Sequence, residues 1–275
     1  MKKNSIAITG ASGVLGKFFI NKYKNYKFDI FKGDIKNYNE VKKWIDNTSA
    51  NHILHFAAKV PTHYVKKNYD NSLKVNYVGT KNLVKSILST KKFFWLFFAS
   101  TSHVYKSSTK PLKETDPLKP ISLYGKTKIK AENYLLRTLK EKSINICIGR
   151  IFSLTHKRQP MSYLVPALIK KIKSNEKKIE ISNLNHDRDF IHIDDLCRAI
   201  NLLKKKRVGG VFNIGSGIAI NLFDILKLIN NKNKQILYNK NKKKTSLIAN
   251  ISKIQKIGFI PRYKIKKIIK DIQTK

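Results

Sequence analysis

Cysteine is scarce in this chain of 275 residues, and the scarcity narrows the classes of protein to which it could belong. The only two cysteines, Cys147 and Cys197, both lie in apolar stretches. Disulfide scaffolds and zinc sites need more cysteines than this. We therefore predict no metal site, and a protein of the reducing cytoplasm.

Long apolar runs are also missing. The longest candidate, Phe93–Ala99, is too short to cross a bilayer and predicts a buried strand. Met1–Asn4 lead directly into a strand-like run, with no signal-peptide cleavage site between them. We expect a globular protein that does not associate with membranes.

Acidic residues are few: 17 Asp and Glu stand against 57 Lys and Arg, which gives a formal net charge of +40. Such a charge keeps open a non-catalytic RNA-binding or regulatory protein. Only seven of the basic residues are Arg, however, and Arg carries the planar fork that base and phosphate recognition use. The lysines are spread along the chain among many Asn, Ile, Tyr and Phe, whose codons are also rich in A and T. A skewed genome composition would account for this set, so we expect no specific nucleic-acid partner and a solvated loop at Lys240–Lys244.

The first half of the chain alternates short β-rich runs with segments of helical periodicity. This alternation predicts an α/β fold with a doubly wound, Rossmann-like parallel sheet. After Arg150 the pattern is less regular. We predict a dinucleotide-binding domain over 1–153, onto which 191–215 folds back, and a smaller substrate-binding domain over 154–275. Strands are predicted at 6–9, 28–31, 53–58, 93–100, 144–148, 178–181 and 211–215, and helices at 14–23, 39–45, 72–88, 122–140, 165–173 and 194–203.

A glycine-rich loop joins the first predicted strand to the first predicted helix. Its glycines are Gly10, Gly13 and Gly16. A dinucleotide fold needs glycines at this point for a tight turn, for close approach of the backbone to the pyrophosphate, and for helix–strand contact. The free N–H groups and the dipole at the helix start then bind the phosphates.

An acidic residue that could bind the adenosine is expected about twenty residues beyond this loop. Asp34 lies eighteen residues after Gly16 and could accept a hydrogen bond from the ribose or contact the adenine. Lys32 could instead favour a 2′-phosphate. NAD and NADP are therefore both left open as cofactors.

Tyr124 and Lys128 are four residues apart on a predicted helix and so share one face. An ammonium beside a phenol favours the phenolate, which can exchange a proton with an alcohol or a carbonyl. Six of the twelve tyrosines have Lys at this spacing, so the context must decide. The helix of Tyr124 follows the longest buried strand. That strand ends near Thr101, where open α/β sheets bind their ligands, and the Thr101 hydroxyl could share the hydrogen bond to the substrate oxygen.

Several segments, in the same order along the chain, resemble the extended short-chain dehydrogenase/reductase family and its NAD-dependent epimerase/dehydratase group. The similarity runs from about Ser5 to Arg262, and members of that group mostly process nucleotide sugars. The segments are Thr9–Gly16, Gly33–Ile35, His55–Ala58, Val75–Thr80, Ser100–Tyr105, Tyr124–Lys128 and Arg188–Asp195.

The resemblance implies roles for individual residues. Thr101, Tyr124 and Lys128 become the catalytic set, and Arg188 becomes the contact to the substrate phosphates, unless it forms a structural pair with a neighbouring Asp. His103, two residues after Thr101, holds the place of an acid/base residue in 4-keto-sugar epimerase-reductases, although it could simply fill space. Around the cofactor we expect Gly10, Ser12, Gly13, Val14, Leu15, Gly16, Asp34, Ile35, Phe56, Ala57, Ala58, Asn76, Ser100, Tyr124 and Lys128.

Departures from the family pattern restrict the reaction. Dehydratases of the family commonly carry Asp-Glu after the catalytic Thr, whereas this chain has Ser102 and His103, so 4,6-dehydration is not expected. On the substrate side, Ser153 stands where epimerases often have Asn. We expect a homodimeric enzyme that transfers a hydride to or from NAD(P) at sugar C4, as a 4-epimerase or a 4-keto-sugar reductase.

Overall fold

A computed structural model describes residues 5–60, 62–138, 144–182, 184–230, 233–239 and 244–274. The chain divides into two compact units. The first comprises Met1–Lys106, Pro117–Arg150 and Cys197–Phe212, and the second comprises Ser107–Asp116, Ile151–Leu196 and Asn213–Lys275. Among the described residues, no helix is both long enough and apolar enough to cross a membrane.

Strands and helices alternate through most of the first unit, whereas the second unit is built from shorter strands. The strands are β1 Ser5–Thr9, β2 Lys27–Ile30, β3 His52–His55, β4 Phe94–Thr101, β5 Ile144–Ile151, β6 Ser153–Leu154, β7 Lys178–Ser182, β8 His186–Arg188, β9 Phe190–Ile191, β10 Gly210–Ile214, β11 Ile220–Asn221, β12 Gln235–Asn239 and β13 Thr245–Leu247. The helices are α1 Val14–Lys22, α2 Tyr38–Asn47, α3 Thr62–Lys67, α4 Tyr69–Leu73, α5 Gly79–Leu88, α6 Leu123–Arg137, α7 Leu164–Lys173, α8 Ile193–Lys206, α9 Leu222–Ile229, α10 Ser252–Gln255 and α11 Ile265–Gln273.

A six-stranded parallel sheet in the order β10-β5-β4-β3-β1-β2 forms the centre of the fold, which confirms the predicted class. The register places Ile6 of β1 opposite Phe28 of β2 on one side and His52 of β3 on the other. The chain passes from β1 to β2 on one side of β1 and then crosses back to β3 on the other side. The strand order therefore reverses beside β1. Open α/β sheets bind ligands at such a point, outside the carboxyl ends of the strands.

Apolar side chains on one face of this sheet pack against α2, α5 and α6. Ile53 of β3, Leu96 and Phe98 of β4 and Ile146 of β5 are completely buried there. The single helix predicted over 72–88 differs in the structure, because a π-helical turn, Lys74–Val78, separates α4 from α5. Hydrophobic periodicity does not reveal one extra residue within a helical turn.

The second unit has its own apolar core, to which α7, β7, α9 and α11 contribute. Its strands form a β11-β8-β13 sheet and the pairs β12-β7 and β6-β9. Several of these strands have only two or three residues, too few to show an alternating pattern, so the sequence did not predict them.

A buried carboxylate ties three segments of the second unit together. Asp189 accepts hydrogen bonds from the main-chain N–H groups of Ser216 (2.7 Å), Gly217 (2.8 Å) and Ala249 (3.2 Å). It also accepts one from the Ser216 hydroxyl. Gly215 leaves room for this carboxylate, since a Cβ there would lie 2.5 Å from Asp189 Oδ2.

The segment Ser107–Asp116 joins the second unit although it precedes residue 154. Two main-chain hydrogen bonds of Leu112 hold the segment there. Its N–H donates to the Ile248 carbonyl, and its carbonyl accepts from Asn250 N, both at 2.7 Å. Of the predicted fold-back segment 191–215, the part Cys197–Phe212 belongs to the first unit. That the second unit binds substrate stays a prediction. The Lys240–Lys244 run lies mostly outside the described residues, and Met1–Asn4 and residues 139–140 of the predicted helix 122–140 lie wholly outside them.

We expect Asp189→Ala to lower the free energy of unfolding by at least about 3 kcal/mol, because it leaves three main-chain N–H groups without their acceptor. Urea denaturation followed by circular dichroism would measure the loss. Asp224→Ala is the control, since that side chain is 62% exposed on α9. Equal stability of the two variants would contradict the role given to Asp189.

Candidate active site

The glycine loop leaves β1 at the point where the strand order reverses. Gly10 has φ +73°, and a Cβ there would lie 2.4 Å from Ala57 N. A Cβ on Gly16 would lie 2.4 Å from the Gly10 carbonyl oxygen. Neither position can carry a side chain without moving backbone. The fold therefore requires glycine at both positions for steric reasons, independent of any ligand.

Gly13 differs from the other two glycines of this loop. It is exposed, and it is the N-cap of α1, where a glycine supplies no side-chain oxygen to accept from the first turn of that helix. A Cβ there would lie 3.3 Å from the Gly10 carbonyl oxygen, a tight contact that the fold could accommodate. The open N-terminus of α1 thus fits a dinucleotide pyrophosphate, which the uncapped N–H groups and the helix dipole would bind.

Other predicted cofactor residues lie close to this loop in sequence or through the β1–β3 contact. Ser12 is exposed, and Val14 and Leu15 are half-buried in the first turn of α1. Phe56, Ala57 and Ala58 follow β3. The first two donate their N–H groups to the carbonyl (3.1 Å) and hydroxyl (3.3 Å) oxygens of Thr9.

Asp34 and Ile35 follow β2 and have different environments. The exposed Asp34 carboxylate accepts a hydrogen bond from Lys36 N at 2.9 Å, which lowers its pKa, and lies 3.3 Å from Lys36 Nζ. The Ile35 side chain is buried, and it occupies the space that a Cβ on Gly79 would need. Their roles at an adenosine stay predictions.

The structure brings Thr101, His103 and Tyr124 together at the carboxyl end of β4. Thr101 is the last residue of β4, and its hydroxyl oxygen accepts a hydrogen bond from His103 N at 3.2 Å. The rings of His103 and Tyr124 meet edge to face, with centroids 6.0 Å apart. Ser122 caps α6 by accepting from Gly125 N, and its hydroxyl lies 2.9 Å from His103 Nδ1. This geometry orients His103 against Tyr124, while its acid/base role stays a prediction.

Lys128 lies one turn beyond Tyr124 on the same helix and is 1% exposed. Its ammonium group is 3.9 Å from the centroid of the Phe98 ring, which supplies a cation–π contact. Burial lowers the pKa of Lys128 to about 7, and the nearby Glu132 carboxylate opposes that shift. At neutral pH the charge of Lys128 therefore depends on the groups around it.

Asn76 lies in the π-helical turn with its side chain completely buried. Its Oδ1 accepts from Lys59 N at 2.7 Å, and its Nδ2 donates to the Lys59 carbonyl at 3.0 Å and to Thr127 Oγ1 at 2.9 Å. The Thr127 hydroxyl in turn donates to the Tyr124 carbonyl at 2.8 Å. The amide thus links the loop after β3 to the first turn of α6, and its predicted place near the cofactor stays a prediction.

His55, a completely buried histidine for which no role was predicted, contributes hydrogen bonds to the same region. His55 Nδ1 lies 2.6 Å from Thr9 Oγ1, and its Nε2 lies 2.9 Å from Thr80 Oγ1. Burial, together with the Lys128 charge, lowers the pKa of His55 to about 3. The imidazole is therefore neutral at physiological pH and bridges two hydroxyl groups.

A buried ion pair near Lys128 in the helix sequence was not predicted. Glu132 is completely buried and accepts hydrogen bonds from Ser100 and Arg150. The spacing of Lys128 and Glu132 was the available signal. On its own, however, a Lys–Glu pair four residues apart is typical of an exposed helix surface.

Arg188 and Ser153 belong to the second unit. The Arg188 guanidinium donates to the carbonyls of Asp187 (2.8 Å) and Thr245 (3.0 Å) and to the Thr245 hydroxyl (2.9 Å). Within the described ranges no carboxylate forms a salt bridge with it. Burial lowers the pKa of Arg188 to about 10, so it is cationic at neutral pH. Ser153 is half-buried and donates its N–H to the Asp189 carbonyl at 2.8 Å.

The sheet order, the glycine loop and the Thr101–Tyr124–Lys128 arrangement define a dinucleotide-binding α/β protein of the dehydrogenase type. The sequence matches the family model described as "NAD dependent epimerase/dehydratase family" over residues 6–215. The chain belongs to this family.

Individual relatives agree with this membership. The chain is 30% identical to GDP-6-deoxy-D-talose 4-dehydrogenase of Aggregatibacter actinomycetemcomitans, over 82% of this chain and 78% of the relative. It is 27% identical to dTDP-4-dehydro-6-deoxyglucose reductase of Escherichia coli, over 83% and 81%. The structure of Thermus thermophilus UDP-glucose 4-epimerase in complex with NAD superposes with a TM-score of 0.86 and 17% identity, covering 98% of this chain and 97% of that one.

Gly13→Val should weaken binding of NAD(P) at least tenfold, about 1.4 kcal/mol. A branched side chain at the N-cap would hold a pyrophosphate away from the start of α1. Isothermal titration calorimetry would measure the affinity. Gly16→Ala is the contrasting variant, which we expect to lower the melting temperature instead, because its Cβ would overlap backbone. Unchanged affinity in a folded Gly13→Val protein would show that the loop is only a turn.

His55 should make folding sensitive to acid. Its pKa is about 3 in the folded protein and ordinary, near 6.5, when unfolded, so the unfolded state binds the proton more tightly. The stabilisation is complete above about pH 6.5 and is lost as the pH falls towards 3, by up to about 1.4 kcal/mol per pH unit. Urea denaturation at several pH values in this range should show that the free energy of unfolding depends less steeply on pH in His55→Gln than in the wild type. This pH dependence should be unaltered in His63→Gln, whose side chain is exposed. The same pH dependence in all three proteins would refute the assignment.

Proposed function

We propose that this protein is an NAD(P)-dependent enzyme that transfers a hydride at C4 of a nucleotide-linked sugar. The single observation that carries the proposal is the set Thr101, Tyr124 and Lys128 on the unit that also bears the glycine loop. Support for C4 comes from the names of the similar proteins: a 4-dehydrogenase, a 4-dehydro-sugar reductase and a 4-epimerase. Their nucleotides are GDP, dTDP and UDP, so the nucleotide is not specified.

The open N-terminus of α1 would hold the cofactor pyrophosphate, with Gly13 allowing close approach. When bound, NAD(P) supplies or accepts the hydride. The adenosine end would lie near Asp34 and Lys32, which favour NAD and NADP respectively, so both cofactors belong in the test.

Tyr124 would move the proton that accompanies the hydride. In the oxidising direction the phenolate oxygen takes the proton of the C4 hydroxyl, and in the reducing direction the phenol returns it to the C4 oxygen. Because the Thr101 oxygen already accepts a hydrogen bond from His103 N, its own O–H is available to donate to the same substrate oxygen. Thr101 would thus hold the oxygen while Tyr124 exchanges the proton.

Arg188 would contact the diphosphate of the substrate. Its guanidinium is oriented by main-chain carbonyls and by Thr245, and no salt bridge to a described carboxylate neutralises it. The neighbouring Asp187 charge acts on Arg188, but no described carboxylate lies within salt-bridge distance of the guanidinium. A cation fixed in this way favours binding of a phosphate oxygen.

Two incubations would test the reaction and separate its two forms. UDP-glucose with NAD yields the C4 epimer if the protein is an epimerase. dTDP-4-dehydro-6-deoxyglucose with NADH or NADPH consumes reduced cofactor if it is a reductase. Turnover of neither substrate by a protein that binds NAD(P) would argue against C4 chemistry on these sugars. It would also give weight to the non-catalytic alternative that the charge of +40 suggests.

With whichever substrate is turned over, Tyr124→Phe should lower kcat by more than about 100-fold, because proton transfer by a positioned side chain contributes that much or more. Affinity for NAD(P) should change little, since the ring is retained. Tyr38→Phe is the matched control, because Tyr38 also has Lys four residues later but is exposed. A Tyr124→Phe enzyme that kept more than a tenth of the wild-type kcat would remove Tyr124 from the mechanism.

A further inference from the structure

A lysine follows β2 at the level of the glycine loop. Ile30, the last residue of β2, lies opposite Ile8 of β1. The N–H of Phe31 donates to the Ile8 carbonyl at 3.0 Å, so the two segments still run side by side just beyond β2. Two residues after Ile30 and Ile8 stand Lys32 and Gly10, respectively. Lys32 therefore lies beside the point where the glycine loop begins.

The alternation of side chains along β2 indicates the face of the sheet on which Lys32 lies. The Trp44 indole of α2 donates to the Asp29 carboxylate at 2.8 Å and packs against the Phe31 ring, with centroids 5.1 Å apart. The Phe28 ring instead meets an aromatic ring of α1, with centroids 6.3 Å apart. Because successive side chains of a strand point to opposite faces, Lys32 lies on the face that α1 covers.

This position bears on the choice of cofactor. In dinucleotide-binding α/β folds, an acidic residue about twenty residues beyond the glycine loop binds the 2′-hydroxyl of the adenosine ribose, and a cationic side chain there accommodates a 2′-phosphate. Such a phosphate carries about two negative charges near neutral pH. Lys32 lies sixteen residues after Gly16. The side chain beside the loop is thus a cation, which complements NADP(H).

The carboxylates of this part of the chain already accept hydrogen bonds from the protein. Asp29 lies on the α2 face. Glu40 accepts from Asp34 N and from Asn37 Nδ2, both at 2.8 Å. The Asp34 carboxylate accepts from Lys36 N at 2.9 Å and also lies 3.3 Å from Lys36 Nζ. A neighbouring ammonium group therefore offsets the charge of Asp34, the acid that could otherwise favour NAD(H).

Lys32 has no such partner. It is exposed, and among the described residues no carboxylate forms a salt bridge with it. The net charge of +40 attracts every anionic nucleotide, wherever its phosphates lie. Lys32 adds a cation at one position, beside the loop whose Gly13 leaves the start of α1 open to a pyrophosphate. The adenosine end of the dinucleotide is where NAD(H) and NADP(H) differ.

We propose that Lys32 is a specificity-determining residue that makes this protein selective for NADP(H), by pairing its ammonium group with the 2′-phosphate that NAD(H) lacks. This inference rests on the proposed function for the dinucleotide at the α1 N-terminus, and not for the sugar or for the position of hydride transfer.

Isothermal titration calorimetry of the full-length protein with NADPH and with NADH tests the proposal without turnover, because these two cofactors differ only in the 2′-phosphate. The wild type should bind NADPH at least about tenfold more tightly, since a hydrogen bond to a charged group commonly contributes that much. Lys32→Ala should lose about tenfold in affinity for NADPH and keep its affinity for NADH. Lys27→Ala is the matched control: it removes the same charge from an exposed position at the opposite end of β2, and should leave the ratio of the two affinities unchanged.

Asp34→Asn separates the rival residue from Lys32. Under the proposal it changes the ratio of the two affinities less than Lys32→Ala does. A wild-type protein with equal affinity for NADPH and NADH would overturn the proposal, and so would a ratio that responds to Asp34→Asn but not to Lys32→Ala. An equal response to Lys27→Ala would assign the preference to the net charge and overturn it as well. A folded protein that bound neither cofactor would contradict the proposed function too, whereas binding without turnover of nucleotide sugars would contradict the proposed function alone.

Discussion

The hydrogen bonds of the Asn76 amide hold together the segments on which the candidate site depends. The amide makes three hydrogen bonds, two with the backbone of Lys59, after β3, and one with Thr127, in α6. It therefore fixes the distance between the loop that would border a cofactor and the helix turn that carries Tyr124. Asn76 lies within the π-helical turn Lys74–Val78, and from there its side chain reaches both segments.

A second set of buried hydrogen bonds, made by neutral polar groups, holds β1, β3 and α5 together. His55 connects Thr9, at the end of β1, with Thr80 on α5, and the Thr9 hydroxyl also accepts from Ala57 N. A charged imidazole there would oppose the Lys128 ammonium, so its neutrality and the charge of Lys128 are compatible with each other. The carboxyl edge of the sheet is thus organised by buried side chains that contact backbone and each other. This leaves the α1 N-terminus and the Thr101 hydroxyl available to ligands.

Local chemistry made part of this arrangement predictable from the sequence. Patterns confined to a few neighbouring residues predicted the glycine loop, the strand that ends at Thr101 and the helix that carries Tyr124 and Lys128. The structure has these elements where they were predicted. Glu132 and His55 were not found, because their importance comes from partners 18 to 46 residues away. The separation of Ser107–Asp116 from its sequence neighbours likewise depends on main-chain bonds between Leu112 and the segment near residue 249.

The arginines bear on how the unusual charge should be interpreted. The chain has seven Arg among its 57 basic residues, so Lys is the ordinary cation of this protein. Arg150 nevertheless donates to the Glu132 carboxylate from two nitrogens and to the Tyr105 hydroxyl from the third. Arg188 donates from both terminal nitrogens to oxygens of Asp187 and Thr245. A Lys ammonium, as a point charge on a flexible stem, could not reproduce either planar arrangement. Guanidinium geometry is therefore used at the buried cluster beside the candidate catalytic helix and at the proposed phosphate contact. At these two positions the planar geometry of the cation, and not only its charge, determines the contacts that it makes.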